Sequence, residues 1–374
     1  MRPMVKPALR RAWRERQTVQ FGVTPAHAVL VGPVDTATGS FLELLDGTRD
    51  LPVLREQARA MGLPDGQPDA LVERLTAAGL LDDPGAAAEA AEALREAEAL
   101  DRLRPELASL SVVHREPGAA ARRLAARRAV RVQVRGAGRV GAAVAALLSA
   151  AGVGRVDVLD GGCVQEWDVA PGGPPARSVG ERRDAAARRL VRRSAPGRTG
   201  QRQAAEPPLS LVIVAPRDGL AAYAPDPAAA GSWIGTGTPH LYAGVIEATG
   251  LVGPLVLPGG TACAGCLALE RAGGDPGWPR MLAQWRSGRR AVTVPACDLG
   301  LATTVAGLTA AHALSFLDGE LPASTGARWE VSMPLLDWRA ERLTPHRDCS
   351  CGAAGRTEGE RVAGTGPPHD TMVG

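Results

Sequence analysis

Two groups of residues in this 374-residue chain have types and spacings that could do chemistry. One is Gly136, Gly138 and Gly141 with Asp160. The other is Cys263 and Cys266, in "CAGC", with Cys349 and Cys351, in "CSC". The glycines spell G-x-G-x-x-G after "AVRVQVR", which alternates as a strand, and at the start of a helix. In such a unit the first glycine permits a tight turn and the second lets backbone approach a phosphate. The third lets the helix pack close to the strand. The amides that open the helix then face an anion. Asp160 closes the second strand, "RVDVLD", where an acid can take ribose hydroxyls. The four cysteines can supply four thiolates, and Zn²⁺ prefers soft ligands in a tetrahedron. The two pairs lie more than 80 residues apart, so only the fold could join them. The blander readings are a Rossmann-like scaffold that binds no nucleotide, and two unrelated thiol pairs. A redox role for "CAGC" is disfavoured because it follows a Gly-Gly loop rather than a thioredoxin-like strand. His346, just before the second pair, is a substitute ligand or a solvated side chain. Cys163 and Cys297 have no cationic or His neighbours in sequence and read as plain buried or loop cysteines; His240, at a strand start, reads as packing.

The elements that must position these residues follow from periodicity and composition. Apolar residues make up 45% of the chain and the net charge is +3, which allows a sizeable core and gives no reason to invoke nucleic acid. No run approaches 18 apolar residues free of charge or Gly/Pro breaks, and no apolar stretch follows the basic N-terminus. The expectation is therefore a cytosolic chain with no membrane partner and with thiols rather than disulfides. Residues 1–83 read as a small α+β module. "AVLVG" is a strand, two helices are broken at "DGTR", and Leu71, Leu75 and Ala78 form the apolar face of a third helix leading into a wing strand. The run "RRAWRER" reads as solvated. Residues 84–128 read as a helical connector, and residues 129–352 as an α/β domain with a mainly parallel sheet. "LSLVIVAP", "HLYAGVI" and "LVGPLVLP" are its further strands, and a long apolar helix is capped by Asp298. The tail, 353–374, reads as disordered.

The glycine unit ending in an acid, followed by C-x-x-C and a distant second cysteine pair, resembles the ThiF/MoeB/E1-like adenylyltransferases from about Ala129 to Cys351. "PHLYAGVIEATGLVGPLVLPGGTACAGC" is similar to the strands leading into that family's zinc knuckle, and "CDLGLATTVAGLTAAHAL" to the helix after its crossover loop. The resemblance implies a Rossmann-like domain that uses ATP to adenylate the carboxylate of a peptide or small carrier protein. It also implies a structural zinc and a homodimer. "LLDGTRDLPVLREQARAMGL…LVERLTAAGLLDD" resembles the PqqD-like winged helix that recognises leader peptides, which implies a peptide partner and a partner enzyme.

Several positions depart from the family pattern. Gly162 stands where a second Asp is implied, Asp168 in the place of an Asn, and Pro171 in that of an Arg. Arg183 corresponds to the family's Lys. Arg217 takes the place of an acid that would hold Mg²⁺, with Asp218 one step off. Adenylyl transfer depends on positioned cations and metal, so Mg²⁺ is expected to be poorly held. Three functions stand at this point. One is an E1-like protein that binds nucleotide and peptide with its adenylation machinery partly lost. Another is an active adenylyltransferase using Asp168, Arg183 and Asp218. The third is an NAD-dependent oxidoreductase, compatible with the fingerprint alone.

Overall fold

The computed structural model describes residues 1–85, 97–197, 207–287 and 294–355. The chain divides into two compact units, Met1–Arg128 and Ala129–Gly374. The first opens with β1 (Met4–Val5) and an antiparallel meander of β2 (Arg11–Glu15), β3 (Thr18–Phe21) and β4 (Val29–Val31). Helices α1 (Thr36–Leu44), α2 (Leu51–Ala60) and α3 (Gln67–Ala77) follow. The first two helices start where an aspartate can satisfy an orphan amide. Asp35 accepts from Thr38 N at 2.7 Å and Asp50 from Val53 N at 3.1 Å. The expected break at "DGTR" lies between them. Strand β5 (Leu81–Asp82) closes this unit's fold by pairing antiparallel with β1. Phe21, Phe41, Leu54 and Leu75 form the core, and Leu71 joins it. The β2–β3 hairpin is absent from the sequence-based expectation. All five residues of β2 are exposed, so the strand has no buried face to create an alternating pattern, and "RRAWRER" reads only as charge.

Within 84–128 the described residues include α4 (Ala97–Arg102), α5 (Arg104–Val113) and α6 (Ala119–Ala129). Lys6, the chain's one lysine, is buried and donates from Nζ to His114 O at 2.8 Å. Its burial lowers its pKa.

The second unit is built on a sheet that, among the described residues, has seven strands. Strand β6 (Arg131–Arg135) leads through the glycine turn into α7 (Arg139–Ala150) and then β7 (Arg155–Leu159). Helix α8 (Arg183–Ser194), β8 (Leu209–Val214), the short α9 (Leu220–Tyr223), α10 (Pro227–Gly235) and β9 (His240–Ile246) complete the alternating half. The rest comprises β10 (Thr249–Val256), α11 (Ala264–Gly274), α12 (Trp278–Arg286), α13 (Leu299–Leu317), β11 (Ala327–Ser332) and β12 (Asp337–Arg342). The order across the sheet is β12-β11-β10-β9-β8-β6-β7. Strands β7, β6, β8 and β9 are parallel, as the Rossmann-like reading requires, and β9 to β12 continue as antiparallel pairings.

Helix α13 is long and apolar enough, by length and composition, to cross a membrane. It packs instead on α7, β9 and β10, with Leu301, Val305, Phe316 and Leu317 among its buried residues. Asp298 caps it as expected, accepting from Leu301 N at 3.0 Å. Of the expected disordered tail, Ala353–Gly355 form a 3₁₀ turn with Ala353 buried, and the remainder lies outside the described residues.

Candidate functional site

The glycine turn sits where β6 ends, and its three glycines serve different needs. Gly136 has φ +109°, and a Cβ there would lie 1.9 Å from Ala215 O. A Cβ at Gly141 would lie 2.1 Å from Gly136 O. The crossing of turn, helix and β8 therefore requires both glycines before any ligand is considered. Gly138 is the N-cap of α7, and its conformation is open to other residues. A Cβ there would meet Arg217 Cγ at 3.2 Å. Gly138 is the position across which a phosphate would approach, and the Arg217 side chain lies over it.

Asp160, at the end of β7, braces this turn. Its Oδ2 accepts from Ala137 N at 2.8 Å, and its Oδ1 accepts from Gly162 N and Arg183 Nε, both at 2.9 Å. A Cβ at Gly162 would fall 2.2 Å from Arg183 Nη2. The missing side chain at 162 is thus what gives the guanidinium its place. Arg183 Nη1 also donates to Cys163 O at 2.7 Å and lies 3.7 Å from Asp168 Oδ2. Asp168 is 2% exposed. Its Oδ1 accepts from Arg217 Nε at 2.7 Å and its Oδ2 from Gln165 N at 2.9 Å. Charges alternate along Asp160, Arg183, Asp168 and Arg217, so these four side chains balance one another in charge.

Two donors in this cluster, Arg217 Nη2 and Trp167 Nε1, are buried without an acceptor among the described residues. The Arg217 guanidinium lies 5.6 Å from the centre of the Trp167 ring. An oxygen-bearing group could take these donors. The structure therefore brings Asp160, Asp168 and Arg183 together and adds Arg217 and Trp167, which the sequence reading did not assign to the site. Asp218 is exposed, and its Oδ1 accepts from Leu220 N, the first residue of α9, at 3.2 Å.

The second group of residues also converges. Cys263 is the N-cap of α11 and Cys266 lies in its first turn. The Cys263–Cys266 sulfur separation is 3.9 Å, and Cys263–Cys349 and Cys266–Cys351 are each 3.6 Å. All four sulfurs lie within 4.8 Å of one another. A tetrahedron with Zn–S bonds of about 2.3 Å has edges of about 3.8 Å, so the donor set fits zinc. A Cβ at Gly265 would come within 2.9 Å of Cys349 Sγ, which explains the glycine inside "CAGC". The hydrogen bond from the Cys263 thiol holds the Cys266 pKa down and pushes that of Cys263 up.

His346 lies outside the quartet; its Nδ1 accepts from Asp348 N at 3.2 Å. Cys163 is exposed and Cys297 half-buried. His240 is fully buried between Trp233 and Tyr242, with Nδ1 on Thr238 O, and burial pushes its pKa down to about 4.

No curated protein sequence matches the chain. Among solved structures, E. coli MccB with ATP superposes with a TM-score of 0.65 at 14% identity, over 94% of this chain and 99% of MccB. The microcin C7 biosynthetic enzyme MccB in complex with N-formylated MccA gives 0.67 at 14%, over 94% and 100%. The heterocyclase TruD gives 0.60 at 18%, over 94% of this chain and 43% of TruD. At these identities the likeness shows a shared fold. The ThiF family model matches residues 115–353, well over half the chain and including both groups of residues described above, and this chain accordingly belongs to the ThiF family.

Proposed function

We propose that this chain binds a peptide or small carrier protein, holds a structural zinc, and retains only a weak adenosine-nucleotide site with little or no adenylation activity. The observation that carries the reading is the ladder Asp160–Arg183–Asp168–Arg217. Adenylation needs Mg²⁺ and fixed positive charge against the departing pyrophosphate. Here Arg217 stands where an acid was implied for the metal, and it is neutralised by a carboxylate that is itself buried. Drawing Arg217 away toward a triphosphate would break its 2.7 Å bond to the buried Asp168, leaving only Gln165 N and the more distant Arg183, and removing one partner of a buried pair costs at most about 3–5 kcal/mol. Arg217 Nη2 and Trp167 Nε1 are left without acceptors among the described residues, which supports residual binding of ATP. When bound, ATP would supply the adenylyl group. This chain's own part would be to hold a phosphate oxygen on those donors and the ribose near Asp160.

The partner reading rests on the fold shared with MccB and TruD and on the likeness of residues 1–83 to leader-peptide modules. Strand addition at a sheet edge would give affinity through backbone hydrogen bonds. A partner enzyme would act on the bound peptide. Thiols kept for metal fit a reducing, cytosolic compartment. A dehydrogenase reading finds no support, because His240 is sealed in the core.

Calorimetry with ATP–Mg²⁺ and pyrophosphate exchange test the reading together. Binding in the millimolar range and exchange at the level of a blank are the expected results. Gly138→Val should remove the residual binding. Robust exchange with any peptide or carrier protein would overturn the reading and make Asp168 and Arg183 the catalytic candidates, with Asp218 third.

A further inference from the structure

We infer that the site beside the glycine turn prefers a nucleotide phosphate free of any divalent cation, with the Arg217 guanidinium standing in the cation's place. The inference rests on the weak nucleotide site proposed above and adds the form in which the nucleotide binds.

The residues present do not fit Mg²⁺. That ion demands an octahedron of oxygens at about 2.0–2.1 Å, and in nucleotide sites one or two carboxylates join the phosphates in supplying it. The turn has two carboxylates, and both are engaged. Asp160 accepts from the amides of Ala137 and Gly162 and from Arg183 Nε. Asp168 accepts from Arg217 Nε and Gln165 N, with Arg183 Nη1 3.7 Å away. Each carboxylate therefore has a guanidinium at its side, and an incoming dication would meet that like charge at close range. The room that a side chain at Gly162 would need is filled by the same Arg183, whose Nη2 lies 2.2 Å from the Cβ position. Asp218 is a single exposed carboxylate whose Oδ1 already accepts from Leu220 N.

The unsatisfied groups point the same way. Arg217 Nη2 and Trp167 Nε1 are buried without acceptors among the described residues, and neither side chain can itself accept a hydrogen bond. A hydrated cation turns the hydrogens of its waters outward, which would set donor against donor. A bare phosphate oxygen is an acceptor. Arg217 need not leave Asp168 to meet it, since Nε holds the carboxylate and Nη2 is left over. The side chain also crosses the place where a phosphate approaches the turn, with Cγ 3.2 Å from the Cβ position at Gly138. A guanidinium is permanently charged and planar, and it suits phosphate oxygens. The charge that a cation would supply thus comes from the chain itself. Mg²⁺ in solution becomes a competitor, because it binds the same phosphate oxygens.

Calorimetric titration of the full chain with ATP tests this, using buffer and nucleotide freed of divalent ions on a chelating resin. The same titration is repeated with excess Mg²⁺ at matched ionic strength, so that screening is constant. A resin replaces a soluble chelator, which would also strip metal from the cysteine quartet. ATP is expected to bind about tenfold more tightly without Mg²⁺, the scale of one charge-assisted hydrogen bond. Arg217→Gln alone would leave the buried Asp168 short of a partner, so the variant pairs it with Asp168→Asn and removes one charge of each sign. This double variant should lose the advantage of the metal-free nucleotide, so that its affinity for ATP is the same in both buffers, while its thermal melt reports that it folds. Equal wild-type affinity in the two buffers overturns the inference and leaves the nucleotide reading standing. So does a folded double variant that keeps the wild-type preference. Binding that requires Mg²⁺ does the same and makes Asp218 the candidate ligand. No binding in either buffer overturns the nucleotide reading itself, and this inference with it.

Discussion

Cys349→Ser is expected to remove the metal and lower the melting temperature by about 10 °C. The Cys349 and Cys351 sulfurs meet those of Cys263 and Cys266 at the start of α11, and this contact pins the chain beyond β12 onto the domain. Zinc bound only by the folded form adds its binding energy to folding, and in isolated zinc fingers that reaches about 10–16 kcal/mol. This unit has a large core of its own around β6, β8 and α7, so most of it would survive without metal. A loss of about 3–4 kcal/mol is the reasonable scale, and for a domain of this size each kcal/mol moves the midpoint by about 2–4 °C. Elemental analysis and calorimetry on protein purified without chelator check both parts. One zinc per chain in the wild type, none in the variant, and no change in Cys163→Ser, whose side chain is exposed away from the quartet, is the expected set. A wild type free of zinc would refute the site.

The glycine turn gives the other large effect. Gly136→Ala should cost upwards of about 4 kcal/mol, because the new methyl meets a carbonyl oxygen at 1.9 Å and the backbone is held at φ +109°. Gly141→Ala should be comparably damaging, with the obstacle again a carbonyl oxygen, at 2.1 Å. Gly138→Ala should stay within about 1 kcal/mol, since its nearest obstacle is the Arg217 side chain at 3.2 Å and its backbone conformation is ordinary. Urea unfolding of the three variants separates these outcomes. Equal effects at all three positions would mean that the turn is more plastic than this packing implies. The expected split has a consequence for function. Two glycines of the fingerprint are held by packing alone, so their presence says little about a nucleotide.

Much of the fold is legible in the sequence, and the parts that are not share a cause. The helices of the first unit, with Asp35 and Asp50 ahead of them, follow from capping chemistry and periodicity over a few residues. The buried strands "LSLVIV" and "HLYAGVI" follow from continuous apolar runs. The β2–β3 hairpin and the β11–β12 hairpin escape notice because β2 and β12 bury neither face, which leaves no hydrophobic alternation to read. Arg217 was legible in a different way. Asp168 in the place of an Asn and Arg217 in the place of an acid are opposite departures from one family pattern. Departures of opposite sign of this sort are the signal of a direct pair, here 2.7 Å long.

The sequence by itself determined the strand–turn–helix around Gly136, the existence of two thiol pairs, and the caps, because those depend on hydrogen bonds and sterics between residues close in the chain. Only the tertiary structure decided that residues 263 and 349 stand 3.6 Å apart, and that the Arg183 guanidinium fills the room left at Gly162. It also decided that Asp218 is bonded to Leu220 N at the start of α9 while Asp168 turns in to meet Arg217. Those outcomes depend on how the whole sheet and its helices pack, and side chains brought together from distant segments choose partners by charge and space that no local pattern records.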